Sequence, residues 1–168
     1  MKKITIVRHA KSDWGIESLK DIDRHLNERG YSDAYSMSDW FRNMQPLPDA
    51  MVSSPAVRAI STAFIFARAF ERAENSIIIS PELYEATPGP IKKVIAGLND
   101  KANSVMLFGH NPGLTNFANE TCSEMYFENI PTCGIVTMEL EISSWQQILT
   151  NGKGHMLNYK FPKSFREE

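Results

Sequence analysis

Cysteine is scarce in this chain of 168 residues, with only Cys122 and Cys133 present. Two thiols cannot form a disulfide framework, so a reducing compartment, the cytoplasm, is expected. Long apolar runs are missing as well. None approaches the ~18 residues of a spanning helix. The opening Met1-Lys2-Lys3-Ile4-Thr5-Ile6-Val7-Arg8 lacks the ~7–15-residue apolar stretch of a secretory signal. No membrane partner is expected. Neither sign of charge dominates: 18 basic and 20 acidic side chains leave a net charge of -2. That balance argues against a general nucleic-acid binder, while a local basic pocket stays possible. A composition 42% hydrophobic and 23% charged rules out disorder and low complexity. At ~100–200 residues per domain, residues 1–168 should form one domain.

Familiar catalytic signatures are absent too. Where a cysteine phosphatase needs an arginine, Glu128 follows Cys122 and Glu139 follows Cys133. Asp21-Ile22-Asp23 follows Ser18-Leu19-Lys20, not the apolar strand that an aspartate nucleophile requires. There is no Gly-x-x-x-x-Gly-Lys-Ser/Thr loop and no Gly-x-Gly-x-x-Gly fingerprint. The histidines are too dispersed for a familiar zinc motif. No cofactor and no metal is expected.

What is present is alternation. Ile4–Val7 is a β-branched run ending at Arg8. After Asn27, a candidate N-cap, Ala34, Met37, Phe41 and Met44 form one helical face, closed by Pro46 and Pro48. Ala50–Val52 reads as a strand, and Ser54-Pro55 as the N-cap and first turn of a helix with the stripe Val57, Ile60, Phe64, Ala67. Ile77–Ile79 is a third strand, and Thr87-Pro88 opens a helix with Ile91, Val94, Ile95 and Leu98 inward. Val105–Phe108 reads as a central strand. Asn111-Pro112 opens another helix, through Leu114, Phe117, Ala118 and Cys122. Ile135–Glu141 alternates like a half-covered strand, and Met156–Phe161 is a last one. The pattern predicts an α/β fold: a three-layer α/β/α sandwich around a mostly parallel, mixed sheet, the final strands forming an edge or antiparallel extension.

Ligands of open α/β sheets bind beyond the carboxyl ends of the strands. Arg8-His9-Ala10-Lys11, Ser53-Ser54-Pro55-Ala56-Val57-Arg58, Glu82-Leu83-Tyr84-Glu85-Ala86 and Gly109-His110-Asn111-Pro112 all reach that edge. Two arginines, two histidines and helix N-termini converging there suit a phosphoryl dianion. A neutral imidazole is a competent nucleophile toward phosphorus. Arg68 and Arg72 read as exposed helix charges, and His25 and His155 as surface or packing residues.

These residues carry a resemblance. Val7-Arg8-His9-Ala10-Lys11-Ser12-x-Trp14 resembles the Arg-His-Gly signature of the histidine phosphatase superfamily, with Ala10 in place of the glycine. Ser53-Ser54-Pro55-x-x-Arg58-Ala59-x-x-Thr62-Ala63 and Gly109-His110-Asn111-Pro112-Gly113 resemble its second and third motifs. Leu26-Asn27-Glu28-Arg29-Gly30, Glu82–Ala86 and the late Trp145 and Pro162-Lys163 follow the small SixA-type phosphohistidine phosphatases. The resemblance implies a phosphoglycerate-mutase-like fold and a hydrolase with His9 as nucleophile. Arg8, Arg58 and His110 would line the phosphate pocket, Ser12 and Asn111 would touch its rim, and Glu85 would donate the proton, with Glu82 its competitor. The position of Asn after Trp14 is Gly15 here, so the substrate contacts of the sugar-phosphate mutases do not carry over residue by residue. The short spacing between motifs leaves no room for a lid. The expected substrate is a phosphorylated protein, phosphohistidine foremost, or a small phosphate ester. A phospho-ligand-binding protein without catalysis is the opposing class, disfavoured by the intact Arg8, His9, Arg58 and His110.

Overall fold

The computed structural model describes residues 1–166. Its sheet has six strands in the order β3-β2-β4-β1-β5-β6. They are β1 (Lys2–Arg8), β2 (Ala50–Ser53), β3 (Ile78–Ile79), β4 (Ser104–Gly109), β5 (Ile135–Leu140) and β6 (Gly154–Lys160). The helices are α1 (Glu28–Met44), α2 (Val57–Ala69), α3 (Pro88–Ala96), α4 (Gly113–Thr121) and α5 (Pro162–Arg166). β3, β2, β4 and β1 are mutually parallel, in registers such as Val7↔Phe108 and Val52↔Leu107. β5 and β6 then run antiparallel. This is the mixed α/β/α sandwich expected.

The two-residue period of the strands divides the core. Ile4, Ile6, Val105, Leu107, Val136 and Met138 pack with α3, α4 and the short helical turn Trp145–Leu149. Val7, Met106, Phe108 and Ile135 face the other way, onto α1 and α2. Apolar faces on both sides explain why β4 is one unbroken hydrophobic run. Among the described residues, no helix is long and apolar enough to cross a membrane.

Local chemistry sets the helix starts. Asn27 caps α1 by accepting from Gly30 N at 2.8 Å. Gly30 is required for a second reason: a Cβ there would fall 2.1 Å from the Lys11 carbonyl oxygen. The turn after β1 thus rests directly on α1.

Four expectations are corrected. α2 begins two residues later than Ser54-Pro55 implies, with Ala56 as its cap residue. Ser54 instead accepts from Ala56 N and meets a histidine. The deeply buried face of α2 is Arg58, Ala59, Thr62, Ala63 and Phe66, because the helix also covers the site; Val57, Ile60 and Phe64 are only half-buried. β5 is not half-covered: all but Glu139 are buried, since the strand enters both core clusters. β3 is shorter than Ile77–Ile79 and is an edge, so Ile78 and Ile79 stand 48% and 53% exposed.

Candidate active site

Because β1, β2, β3 and β4 are parallel, their carboxyl ends share one edge of the sheet. A cavity of about 570 Å³ opens there. Arg8, His9, Ser12, Arg58, Glu85, His110 and Asn111 all line it. Another wall, Asn129, Pro131 and Thr132, arrives because the antiparallel β5 begins at this edge.

The turn carrying His9 is pinned on every side. His9 N donates to Gly109 O at 3.1 Å, and Cys133 N donates to the carbonyls of Arg8 and His9 at 2.9 and 3.1 Å. Ala10 N donates to Thr62 Oγ1 at 3.0 Å, and that hydroxyl donates to Arg58 O at 2.7 Å. Thr62 therefore locks the first motif to α2.

The imidazole of His9 is buried, with Nδ1 2.8 Å from the Ala10 carbonyl oxygen. A carbonyl only accepts, so Nδ1 must carry the proton and Nε2 the lone pair. Burial pushes the ring's pKa down to about 3, against the pull of the Ala10 carbonyl; His110, Arg58 and Arg8 lower it further. At neutral pH His9 is an uncharged base with a fixed tautomer.

His110 lies beside it, ring centroids 5.4 Å apart. Its Nε2 is 2.7 Å from Ser54 Oγ. Ser54 Oγ already accepts from Ala56 N at 3.2 Å. Its own hydrogen is then available to Nε2, an assignment that leaves the His110 proton on Nδ1. Burial, with Arg58 second, lowers the His110 pKa to about 4.

Arg58 is buried, and its fork closes on Asp21: Nη1 to the backbone oxygen at 2.7 Å, Nη2 to Oδ2 at 3.0 Å. Arg8 Nη1 donates to Ile130 O at 2.8 Å. Arg8 Nε, Arg58 Nε and His110 Nδ1 are buried nitrogens without a partner in the protein. An orphaned buried donor costs roughly 1–3 kcal/mol. All three belong to residues that line the one cavity.

Asp21, Arg24 and Tyr84 were not anticipated. The Asp21 carboxylate accepts from Tyr84 Oη, from Arg24 Nε at 3.0 Å and from Arg58. These partners, Tyr84 first, hold its pKa down at about 2 despite burial. Arg24 also donates to Ser12 Oγ, and its guanidinium lies 3.4 Å from the centroid of Trp14. A signal existed: the stretch between β1 and Asn27 has no periodicity, and long irregular connections often carry function.

The two candidate carboxylates separate. Glu85 lines the cavity, at a positive φ of 51° that costs a non-glycine residue energy. Glu82 accepts from Ser80 Oγ at 2.8 Å and faces a different depression, beside Ile78 and Ile79. Gly113 fixes this wall: a Cβ there would fall 1.7 Å from Ala86 O. Asn111 reaches the cavity, but its amide is spent. Nδ2 donates to Asn129 Oδ1 and Ile130 O, both at 2.9 Å, while Oδ1 accepts from Thr115 Oγ1 at 2.8 Å. It braces the wall, whereas Ser12, an acceptor for Arg24, keeps a hydroxyl hydrogen to offer.

A buried, uncharged imidazole sharing a cavity with two guanidiniums suits the chemistry of a phosphatase. Residues 4–124 match the model of the histidine phosphatase superfamily (branch 1), and the chain belongs to that superfamily. It is 28% identical over 143 residues to an uncharacterised protein of Mycobacterium tuberculosis, covering 80% of this chain and 87% of that one. Its fold matches a candidate phosphohistidine phosphatase, SixA, from Agrobacterium tumefaciens with a TM-score of 0.78 at 24% identity, over 95% and 97% of the two chains. It also matches a protein histidine phosphatase SixA complexed with tungstate, with a TM-score of 0.81 at 20% identity, over 97% and 99%.

Proposed function

We propose that this protein hydrolyses phosphohistidine in a phosphoprotein through a phosphohistidine intermediate on His9, residues 1–168 acting as one catalytic domain in the cytoplasm. The observation that carries the mechanism is the Nδ1 contact to the Ala10 carbonyl at 2.8 Å. It presents Nε2 as a lone pair toward the cavity without any prior proton removal. In the first step that lone pair forms a bond to phosphorus while the bond to the leaving group breaks. Arg8, Arg58 and His110 stabilise the charge on the equatorial oxygens, which are richest in charge in the transition state. Glu85 gives its proton to leaving groups that need one. In the second step water attacks the same phosphorus, Nε2 departs, and inorganic phosphate is released, with Glu85 as base.

Asp21, its carboxyl held low by Tyr84, Arg24 and Arg58, is not given the acid's part. It positions Arg58 and Arg24 instead. The neighbouring SixA structure holds tungstate, a tetrahedral oxyanion like phosphate, which supports the pocket's assignment here. Both thiols are buried and free, in keeping with a reducing compartment.

The test is a panel of phosphorylated carriers, phosphohistidine proteins beside small phosphate esters, incubated with wild type and His9→Ala. The reading predicts fastest release from phosphohistidine proteins and none with the variant. A higher kcat/KM for a small ester would move the substrate class. Turnover by His9→Ala would discard the mechanism.

A further inference from the structure

The catalytic cavity adjoins a second depression across Pro131 and Thr132, about 200 Å³ in volume, whose walls include Lys11, Arg29, Asp33 and Lys163. Lys11, Pro131 and Thr132 line both. Three cations and one carboxylate therefore meet beside the site of a chain whose net charge is -2.

They come from three parts of the fold. The Lys11 carbonyl accepts from Asn27 N at 3.0 Å and rests against Gly30, so the backbone of Lys11 is fixed at the first turn of α1, near Arg29. Arg29 Nε stands 3.5 Å from Asp33 Oδ1 one turn further on. Lys163 belongs to α5, which packs on α1 through Phe165 and Trp40, ring centroids 6.3 Å apart. Burial raises the Asp33 pKa, while the charges of Arg29 and Lys11 oppose that rise. Both cations thus face the same carboxylate.

We propose that this depression holds an acidic peptide segment flanking the phosphorylated residue of the protein substrate, with the phosphoryl group at His9. The inference rests on the phosphoprotein reading above and adds the sequence character of the substrate. A compact anion needs converging, buried donors, as around His9. Here Lys11, Lys163 and Arg29 are all exposed, and they come from three separate parts of the fold. Several exposed cations on separate elements suit several carboxylates along a peptide, not one compact anion. Complementary rim charges act mainly on encounter and KM, and they weaken with salt.

The experiment compares two phosphohistidine peptides of equal length, one flanked by Glu and one by Gln, with a small aryl phosphate as control. Wild type should show a higher kcat/KM for the Glu peptide, an advantage that shrinks as salt rises. Arg29→Gln and Lys163→Gln should each lower that kcat/KM about 1.5–5-fold through KM, the range of one exposed ion pair. Neither should change turnover of the aryl phosphate. Equal rates for the two peptides with wild type, or the same loss on the aryl phosphate, would overturn the proposal. If neither peptide is hydrolysed while the aryl phosphate is, the phosphohistidine reading itself falls, and this inference with it.

Discussion

Arg58→Lys keeps a positive charge and removes a geometry. The Arg58 guanidinium does two things at once: Nη1 and Nη2 hold Asp21 at 2.7 and 3.0 Å, and Nε is left without a protein partner beside the cavity. A lysine has one nitrogen. If the ammonium stays with Asp21, the phosphoryl group loses its donor; if it turns to the phosphoryl group, Asp21 loses an anchor. Loss of a preorganised donor to developing negative charge costs ~10²–10³-fold in kcat, about 2.7–4 kcal/mol. We expect kcat/KM to fall on the order of 10²-fold or more, chiefly through kcat. Stability should change far less. Asp21 keeps Arg24 and Tyr84, and its side chain is 39% exposed. The screened loss is about 1 kcal/mol, or ~2–4 °C in Tm for a chain of this size. Steady-state hydrolysis of an aryl phosphate, with Tm measured on the same samples, separates the two effects. Activity within a few-fold of wild type would refute the role given to Arg58, and a collapse in Tm would make the activity loss one of folding.

Other expectations follow from the same geometry. Glu85→Gln should slow phosphoryl transfer from alkyl phosphates by ~10²–10⁴-fold and from phosphohistidine much less, because imidazole leaves without that acid. Rapid-quench labelling of His9 under single-turnover conditions reads the transfer step, and equal slowing would remove Glu85 from the role. With pKa values lowered to about 3 and about 4, the rings of His9 and His110 should stay neutral between pH 5 and 8 in ¹⁵N spectra, His9 with its proton on Nδ1. Both values lie below the ordinary imidazole range near 6.5, so the unfolded chain takes up protons first. Stability is then full above about pH 6.5 and declines as pH falls toward 4 and 3; denaturation midpoints that do not change between pH 7 and 5 would contradict this. Gly113→Ala should cost at least ~2 kcal/mol and lower activity, since the added methyl meets Ala86 O and displaces the wall that carries Glu85.

The legible parts of this molecule are those that local chemistry dictates. The β1 and β4 runs, the Asn27 cap and the stripe of α1 reveal themselves through period and capping, and the strand ends then bring Arg8, His9, Arg58 and His110 to one edge. Tertiary demands hid the rest. Ser54 looks like an N-cap, yet the nearby His110 claims its hydroxyl. Arg58 is legible as a pocket residue, but its anchor is not: Asp21 lies 37 residues earlier and only the fold brings the two together. Asp21 and Arg24 sit in a segment without periodicity, so no pattern marks their direction. Asn111 carries a motif position, but only its partners Asn129, Ile130 and Thr115 reveal that its amide is fully used. Ile135–Glu141 alternates like a half-covered strand, and only the two core clusters it enters, Val136, Met138 and Leu140 on one face and Ile135 on the other, show it buried.

The central claim is that His9 Nε2 becomes phosphorylated during turnover. Radiolabelled phosphoryl donor is mixed with enzyme for milliseconds, the sample is split between acid and alkali quenches, and protein-bound label is mapped by peptide. A phosphoramidate on His9 predicts label that survives alkali, disappears in acid, maps to the peptide containing His9 and is absent from His9→Ala. Acid-stable label, label on another residue, or undiminished turnover by His9→Ala would contradict the account.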